Sequence, residues 1–197
     1  MTGYDKLKEA DRLYEAHSYS QALSLYKEVA QMGYIKAYNK IGDYYYYGYG
    51  GSMDYYEAAK WYRKAALLGD AEAQHNLGVV YSNGYFGITE NESESIKWFR
   101  MAAEQGYAPS QYHMGGNYES GYGVPQDERM AVSWYRKGAE QRYAPAMVSL
   151  ARMIYYGEGL PKDREEAIWL CREAVKCSKY EHEKESAIKW LKIWKAW

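Results

Sequence analysis

Small, large and polar positions recur along the chain with a period of 36 residues. Ala37, Ala73, Ser110 and Ala146 form one column, with spacings of 36, 37 and 36. Four residues on stand Ile41, Leu77, Met114 and Leu150, and beside them Gly42, Gly78, Gly115 and Ala151. Three further on come Tyr45, Tyr81, Tyr118 and Ile154. Small residues that let helices approach, ringed by large ones, predict the buried stripe of a first helix in each unit.

Glycines then punctuate every unit. Gly48, Gly84, Gly121 and Gly157 are followed by Gly50, Gly123 and Gly159, with Gly87 displaced by a one-residue insertion. A turn that needs positive φ is the expected reason, because glycine adopts it without a Cβ penalty. A second helix is predicted to open at Asp54, Asn91, Asp127 and Asp163, whose side-chain oxygens suit an N-cap. Its inner stripe reads Ala58, Trp61, Tyr62, Ala65, Ala66, then Ser95, Trp98, Phe99, Ala102, Ala103, then Ala131, Trp134, Tyr135, Gly138, Ala139. In the last unit the stripe decays to Ala167, Leu170, Cys171 and Ala174.

A fixed period of this length points to a stacked array, with all-α structure and one repeat domain over 1–197. The pattern LG-x-x-Y-x-x-G-x-G-V-x-x-D followed by A-x-x-W-Y-x-K-A-A-x-x-G resembles the Sel-one-like repeat (SLR) branch of tetratricopeptide proteins. Residues 110–145, with MGGNYESGYGVPQD and AVSWYRKGAEQ, match it best. SLR units are expected at 37–72, 73–109, 110–145 and 146–178. Before them, 4–36 has a short inter-helix turn and resembles an ordinary tetratricopeptide unit. The resemblance implies a right-handed α-α superhelix, here of about five helix pairs.

A last helix is expected over 181–197. Projected at helical spacing, Ala187, Trp190, Leu191, Trp194 and Trp197 share one side and Lys184, Lys189, Lys192 and Lys195 another. We read it as the cap that hides the final apolar face of an array. The same amphipathic pattern would also suit a membrane surface or a docked partner.

Composition narrows the function. The 197 residues include 25 Tyr and 7 Trp, which suits helices meeting through small residues and amphipathic rings. Lys and Arg number 25 against 26 Asp and Glu, interspersed, so neither a phosphate-tracking surface nor a nucleic-acid partner is expected. Cys171 and Cys177 lie six apart on one helix, pointing different ways, so no disulfide between them is expected and a reducing compartment fits. The polar start MTGYDKLKEA lacks a signal-peptide pattern, and no segment is apolar enough to span a membrane. The expected location is the cytoplasm, although a leader removed upstream would leave the same start.

Candidate chemistry reduces to structural readings. The GYGG at 48–51 and GYGV at 121–124 recur in inter-helix turns with no strand before them, unlike phosphate-binding loops. His17, His75, His113 and His182 form no helical pair or Cys/His cluster; they read as solvated or hydrogen-bonded, with no metal or cofactor expected. Cys171 replaces a core aromatic as a small filler. Glu165–Glu166 and the stretch Glu90–Glu94 suit helix starts and exposed faces better than a glycosidase-like pair. Members of the resembled family with β-lactam-related activity carry a regular Cys pair per repeat, absent here, so no enzyme activity is expected.

Two departures from the pattern stand out. Arg142 occupies the place of Gly33, Gly69 and Gly106, which reads as a slightly altered left-handed turn at a cost of about 1 kcal/mol, or as a residue placed for a contact. In the run Tyr44 to Tyr47, the core demands Tyr45 and Tyr44 can pack beside it; Tyr46 and Tyr47 are not required by the core.

The resemblance implies that first helices line a concave wall. The positions two, six, nine and ten residues past the column-starting residue point away from the buried stripe. They are Asn39, Asp43, Tyr46 and Tyr47; His75, Val79, Ser82 and Asn83; Tyr112, Gly116, Glu119 and Ser120; and Val148, Arg152, Tyr155 and Tyr156. A tyrosine-rich groove of this kind suits a helix or loop of a partner protein, with Asp43 and Arg152 supplying opposite charges. The expected role is a non-catalytic adaptor or scaffold, acting as a monomer. The alternative is a bacterial immunity protein that neutralises a secreted toxin by binding it.

Overall fold

The computed structural model describes residues 1–84 and 91–197. Among these residues there are eleven α-helices and no strand: α1 Gly3–Glu15, α2 Tyr19–Gln31, α3 Ile35–Tyr47, α4 Tyr55–Leu67, α5 Ala71–Asn83, α6 Glu92–Glu104, α7 Ala108–Ser120, α8 Glu128–Glu140, α9 Ala144–Tyr156, α10 Arg164–Cys177 and α11 Glu181–Ile193. They pack as consecutive pairs within two compact units, Met1–Trp98 and Phe99–Trp197.

Local chemistry sets each boundary. The carboxylates of Asp54, Asp127 and Asp163 accept from the backbone N–H of Glu57, Met130 and Glu166, and Asn91 Oδ1 accepts from that of Glu94, at 2.9–3.0 Å. Each satisfies an amide that the first helical turn leaves free. First helices stop where Gly48, Gly84, Gly121 and Gly157 adopt φ of 56° to 77°, and Gly50, Gly123 and Gly159 are also left-handed. Gly87 and Glu90, singled out in the sequence, lie outside the described residues. Arg142 has φ 60°, so the left-handed turn is kept without glycine. It also makes a contact: its guanidinium stands 3.5 Å from Glu173 on α10, and its carbonyl accepts from Cys177 Sγ.

Pairs are tied together by a recurring bond. Tyr38 Oη, Gln74 Nε2 and Gln111 Nε2 each donate to a carbonyl eight residues earlier, Ala30, Ala66 and Ala103, at 2.8–3.2 Å. These are carbonyls that the end of a second helix leaves open.

In the first unit the core is built from Ala10, Ala22, Tyr26, Val29, Ala37 and Ile41, and then from Ala58, Tyr62, Ala65, Ala73, Leu77, Val80 and Trp98. Tyr62 lies against Gly42, where an added Cβ would fall well under 3.0 Å from the ring. The second unit repeats this device with Tyr135 against Gly115. Its core runs through α8, α9, α10 and α11 and includes Leu150, Ile154, Leu170, Cys171, Leu191 and Trp194.

The last helix is shorter than its pattern suggests. It ends at Ile193 with Trp194 as C-cap, and Lys195 turns left-handed at φ 56°. Ala187, Leu191 and Trp194 are buried and Trp190 half-buried, as a cap requires, but Trp197 leaves the shared face and is 66% exposed. Lys189 and Lys192 face solvent.

Candidate protein-binding surface

The first-helix face of the first unit is built around α3. Its expected outward positions do not all point outward: Asn39 and Asp43 are buried, at 2% and 8% exposure. α3 is flanked by more than its own pair, so its buried arc includes Ala37, Asn39, Ile41, Gly42 and Asp43. Asn39 Oδ1 accepts from Asn76 of α5 at 3.1 Å. Asp43 accepts from the Tyr62 hydroxyl at 3.0 Å and faces the Lys40 ammonium at 3.4 Å. Burial holds the Asp43 carboxyl above the usual carboxylate range, despite Lys40 and Tyr62. Asp43 is therefore no free charge at a groove.

Tyr46 and Tyr47 do lie on this face, within a connected set of rings. Tyr46 meets Tyr47 edge-on at 4.9 Å and Tyr55 at 5.3 Å; Tyr47 meets Tyr49 at 5.3 Å; Tyr49 stacks on Tyr19 at 4.7 Å and meets Tyr14 at 5.3 Å. Tyr47 is 57% exposed. Its hydroxyl is nonetheless raised above the usual tyrosine range by burial and by the Asp43 charge. Of the α5 candidates, Asn83 is exposed while His75 and Val79 are half-buried.

Sequence reasoning missed Tyr14, Tyr19 and Tyr49. Tyr49 sits in a turn between two left-handed glycines, and Tyr14 and Tyr19 belong to the opening pair, which is out of register with the 36-residue columns. The signal was the density of tyrosine itself.

The second unit treats the matching positions differently. Arg152 bridges Glu119 and Glu158 at 2.5 Å each, so its charge is already matched, and Glu119 also accepts from Tyr135. Val148 is buried at 6%. Tyr155 stacks flat on Trp194 at 4.2 Å and 5°, and Tyr156 meets Trp190 edge-on at 6.2 Å. The terminal segment thus packs on this tyrosine pair but covers it only in part: Tyr155 is half-buried and Tyr156 stays 42% exposed. Tyr112 lines a hollow of about 330 Å³ with Tyr143, Val148, Ser149 and Glu183.

The remaining candidates for chemistry are structural. His113 is not a solvated ring: it stacks on Phe99 at 4.5 Å and 4°, and burial lowers its pKa to about 4. Cys171 is fully buried, its thiol raised to about 12 by burial, and neither it nor Cys177 is in a disulfide. Among the described residues there is no group of three His, Cys, Asp or Glu able to hold a metal ion, and no helix long and apolar enough to cross a membrane.

The helix pairs fall in register with a known repeat. The Sel1 repeat pattern matches residues 35–70, 71–107, 108–143 and 144–178. The chain belongs to the Sel1 repeat family. Each matched segment starts at or next to the start of a first helix, two residues ahead of the column used to align the units.

Solved structures agree. A Sel1 repeat protein from Oxalobacter formigenes is 24% identical with a TM-score of 0.75, over 95% of this chain and 98% of that one. A protective antigen of uropathogenic Escherichia coli displaying an SLR fold is 28% identical with a TM-score of 0.67, over 97% of this chain and 53% of that one. This Sel1 repeat chain therefore spans about half of that antigen. An immunity protein from Pseudomonas aeruginosa is 19% identical with a TM-score of 0.57, over 84% of this chain and 64% of that one. A comparison with curated proteins finds no match. Sel1 repeats are protein-interaction scaffolds, and the family is generally non-catalytic.

Proposed function

We propose that this Sel1 repeat chain is a non-catalytic binding module that engages a partner protein through the tyrosine face of its first unit. One observation carries the reading: Tyr47 stands 57% exposed at the edge of a connected set of tyrosine rings. Tyrosines so held present a large amphipathic area whose rotamers are already ordered, which favours association.

The experiment is Tyr47→Ala combined with Tyr49→Ala, with affinity for a purified partner followed by calorimetry. A loss of about 2 kcal/mol or more is expected with an unchanged far-UV circular dichroism spectrum. Unchanged affinity refutes the assignment of this face.

A second reading makes the chain a dedicated inhibitor of a secreted toxin. The fold shared with the Pseudomonas immunity protein is compatible with it, as a likeness of fold alone. Protection of cells by the chain against one toxin, lost in the same double variant, separates inhibitor from adaptor.

A further inference from the structure

The hollow of about 330 Å³ in the second unit has walls of different chemistry. Tyr112 of α7 and Tyr143, the N-cap of α9, stand with ring centroids 6.0 Å apart at 67°, so two adjoining sides are aromatic. Pro145 and Val148 of α9 add apolar surface, and α11 contributes Glu183.

Glu183 brings a carboxylate to this hollow without a counterion. It is half-buried, and its Oε2 accepts from Ser178 Oγ at 2.5 Å. Among the described residues it makes no salt bridge, whereas Glu119, Glu158 and Glu173, also half-buried in this unit, are matched by Arg152, Arg142 or Lys176. Its charge is felt across the hollow: burial first, and then the Glu183 carboxylate, push the Tyr143 hydroxyl up to about 12. Neither the Tyr112 nor the Tyr143 hydroxyl hydrogen-bonds to another described residue. Glu183 Oε1 and two phenol oxygens are therefore open acceptors around one cavity.

We infer that this hollow binds a primary alkylammonium group, with the charge at Glu183 and the alkyl stem along the Tyr112 and Tyr143 rings. An ammonium carries three N–H donors for the open oxygens, and aromatic rings attract its charge. A guanidinium fits less well, because its two-pronged bond needs both carboxylate oxygens and Ser178 already holds one. A quaternary ammonium has no donor to offer. The group can arrive on a lysine side chain of a protein or on a small free amine. The site lies wholly within the second unit and stands apart from the tyrosine face of the first.

The test uses small probes on the full chain, followed by two-dimensional amide spectra: lysine capped at both ends, its norleucine and trimethyl-lysine counterparts, and butylamine. Capped lysine is expected to saturate, with a dissociation constant on the order of 1 mM and shifts centred on Tyr112, Tyr143, Val148 and Glu183. The trimethyl form should bind at least about threefold more weakly, and norleucine should not saturate. Glu183→Gln, which keeps an acceptor for Ser178, should weaken lysine binding about fivefold or more. Glu185→Gln, an equal change of charge at an exposed position of the same helix, should stay within about twofold. Tighter binding of capped lysine than of butylamine assigns the group to a protein side chain; equal binding assigns it to a free amine. Equal binding of norleucine, equal effects of the two glutamate variants, tighter binding of the trimethyl form or no saturation would overturn the assignment.

Discussion

The two units carry tyrosine pairs at the same repeat positions, Tyr46 with Tyr47 and Tyr155 with Tyr156, and give them different neighbours. In the first unit the pair joins other tyrosines, and Tyr47 remains open to solvent. In the second, Tyr155 lies flat under Trp194, the C-cap of α11, and Tyr156 meets Trp190 within that helix. The same residues at the same phase of a repeat thus meet other tyrosines in one place and the tryptophans of the terminal segment in the other, while the second ring of each pair stays exposed. Repeat position fixes which way a side chain leaves its helix; the next element decides whether anything covers it.

The largest expected effect lies on the covered side. Trp194→Ala removes a buried indole and uncovers Tyr155, and chemical denaturation should show a loss of about 3–4 kcal/mol. A loss below about 1 kcal/mol would mean that α11 contributes little as a cap, and would erase the contrast between the units.

A smaller effect probes what the units share. Gly42→Ala and Gly115→Ala each place a methyl group against a ring fixed by a hydrogen bond, Tyr62 to Asp43 and Tyr135 to Glu119. Overpacking should exceed the helix-propensity gain and leave each variant destabilised by about 1–2 kcal/mol. Thermal melts of the two variants should shift alike; a shift in only one would show that the register is not shared.

Acid separates the units again. His113 is held neutral in the fold at a pKa of about 4, against 6.5 for the free side chain, so the unfolded chain takes up its proton first as pH falls. Stability should therefore drop between pH 6.5 and 4 by up to about 3 kcal/mol, and His113→Phe should remove that part of the slope. Asp43 acts in the opposite sense. Its raised pKa means the folded state protonates before the unfolded one, so acid relieves a cost in the first unit. Denaturation curves of wild type and His113→Phe across this range measure the difference.

Much of this architecture was legible because a repeat writes the same physics several times. The Asp54, Asp127 and Asp163 caps, the left-handed glycines after each first helix and the buried Ala37, Ala73, Ser110 and Ala146 column all follow from residue type at fixed spacing. The binding face was less legible. Asn39 and Asp43 looked solvent-facing because a helical projection gives direction but not the width of the covered arc, and their burial depends on Asn76 and Tyr62, distant in sequence. Arg152 looked like a free charge because nothing in its own helix shows that Glu119, one repeat earlier, would reach it. Tyr14 and Tyr19 escaped because the opening pair does not share the columns of the other four units.

The contact of Tyr62 with Gly42 has a consequence in time as well as in space. The ring is 1% exposed, lies against a bare stretch of helix and is held at its hydroxyl by Asp43. It cannot turn over about its own axis unless α3 and α4 briefly part. The flip rate of this one aromatic ring, read from the exchange of its paired proton signals, is therefore a clock for how often neighbouring helices of the repeat breathe.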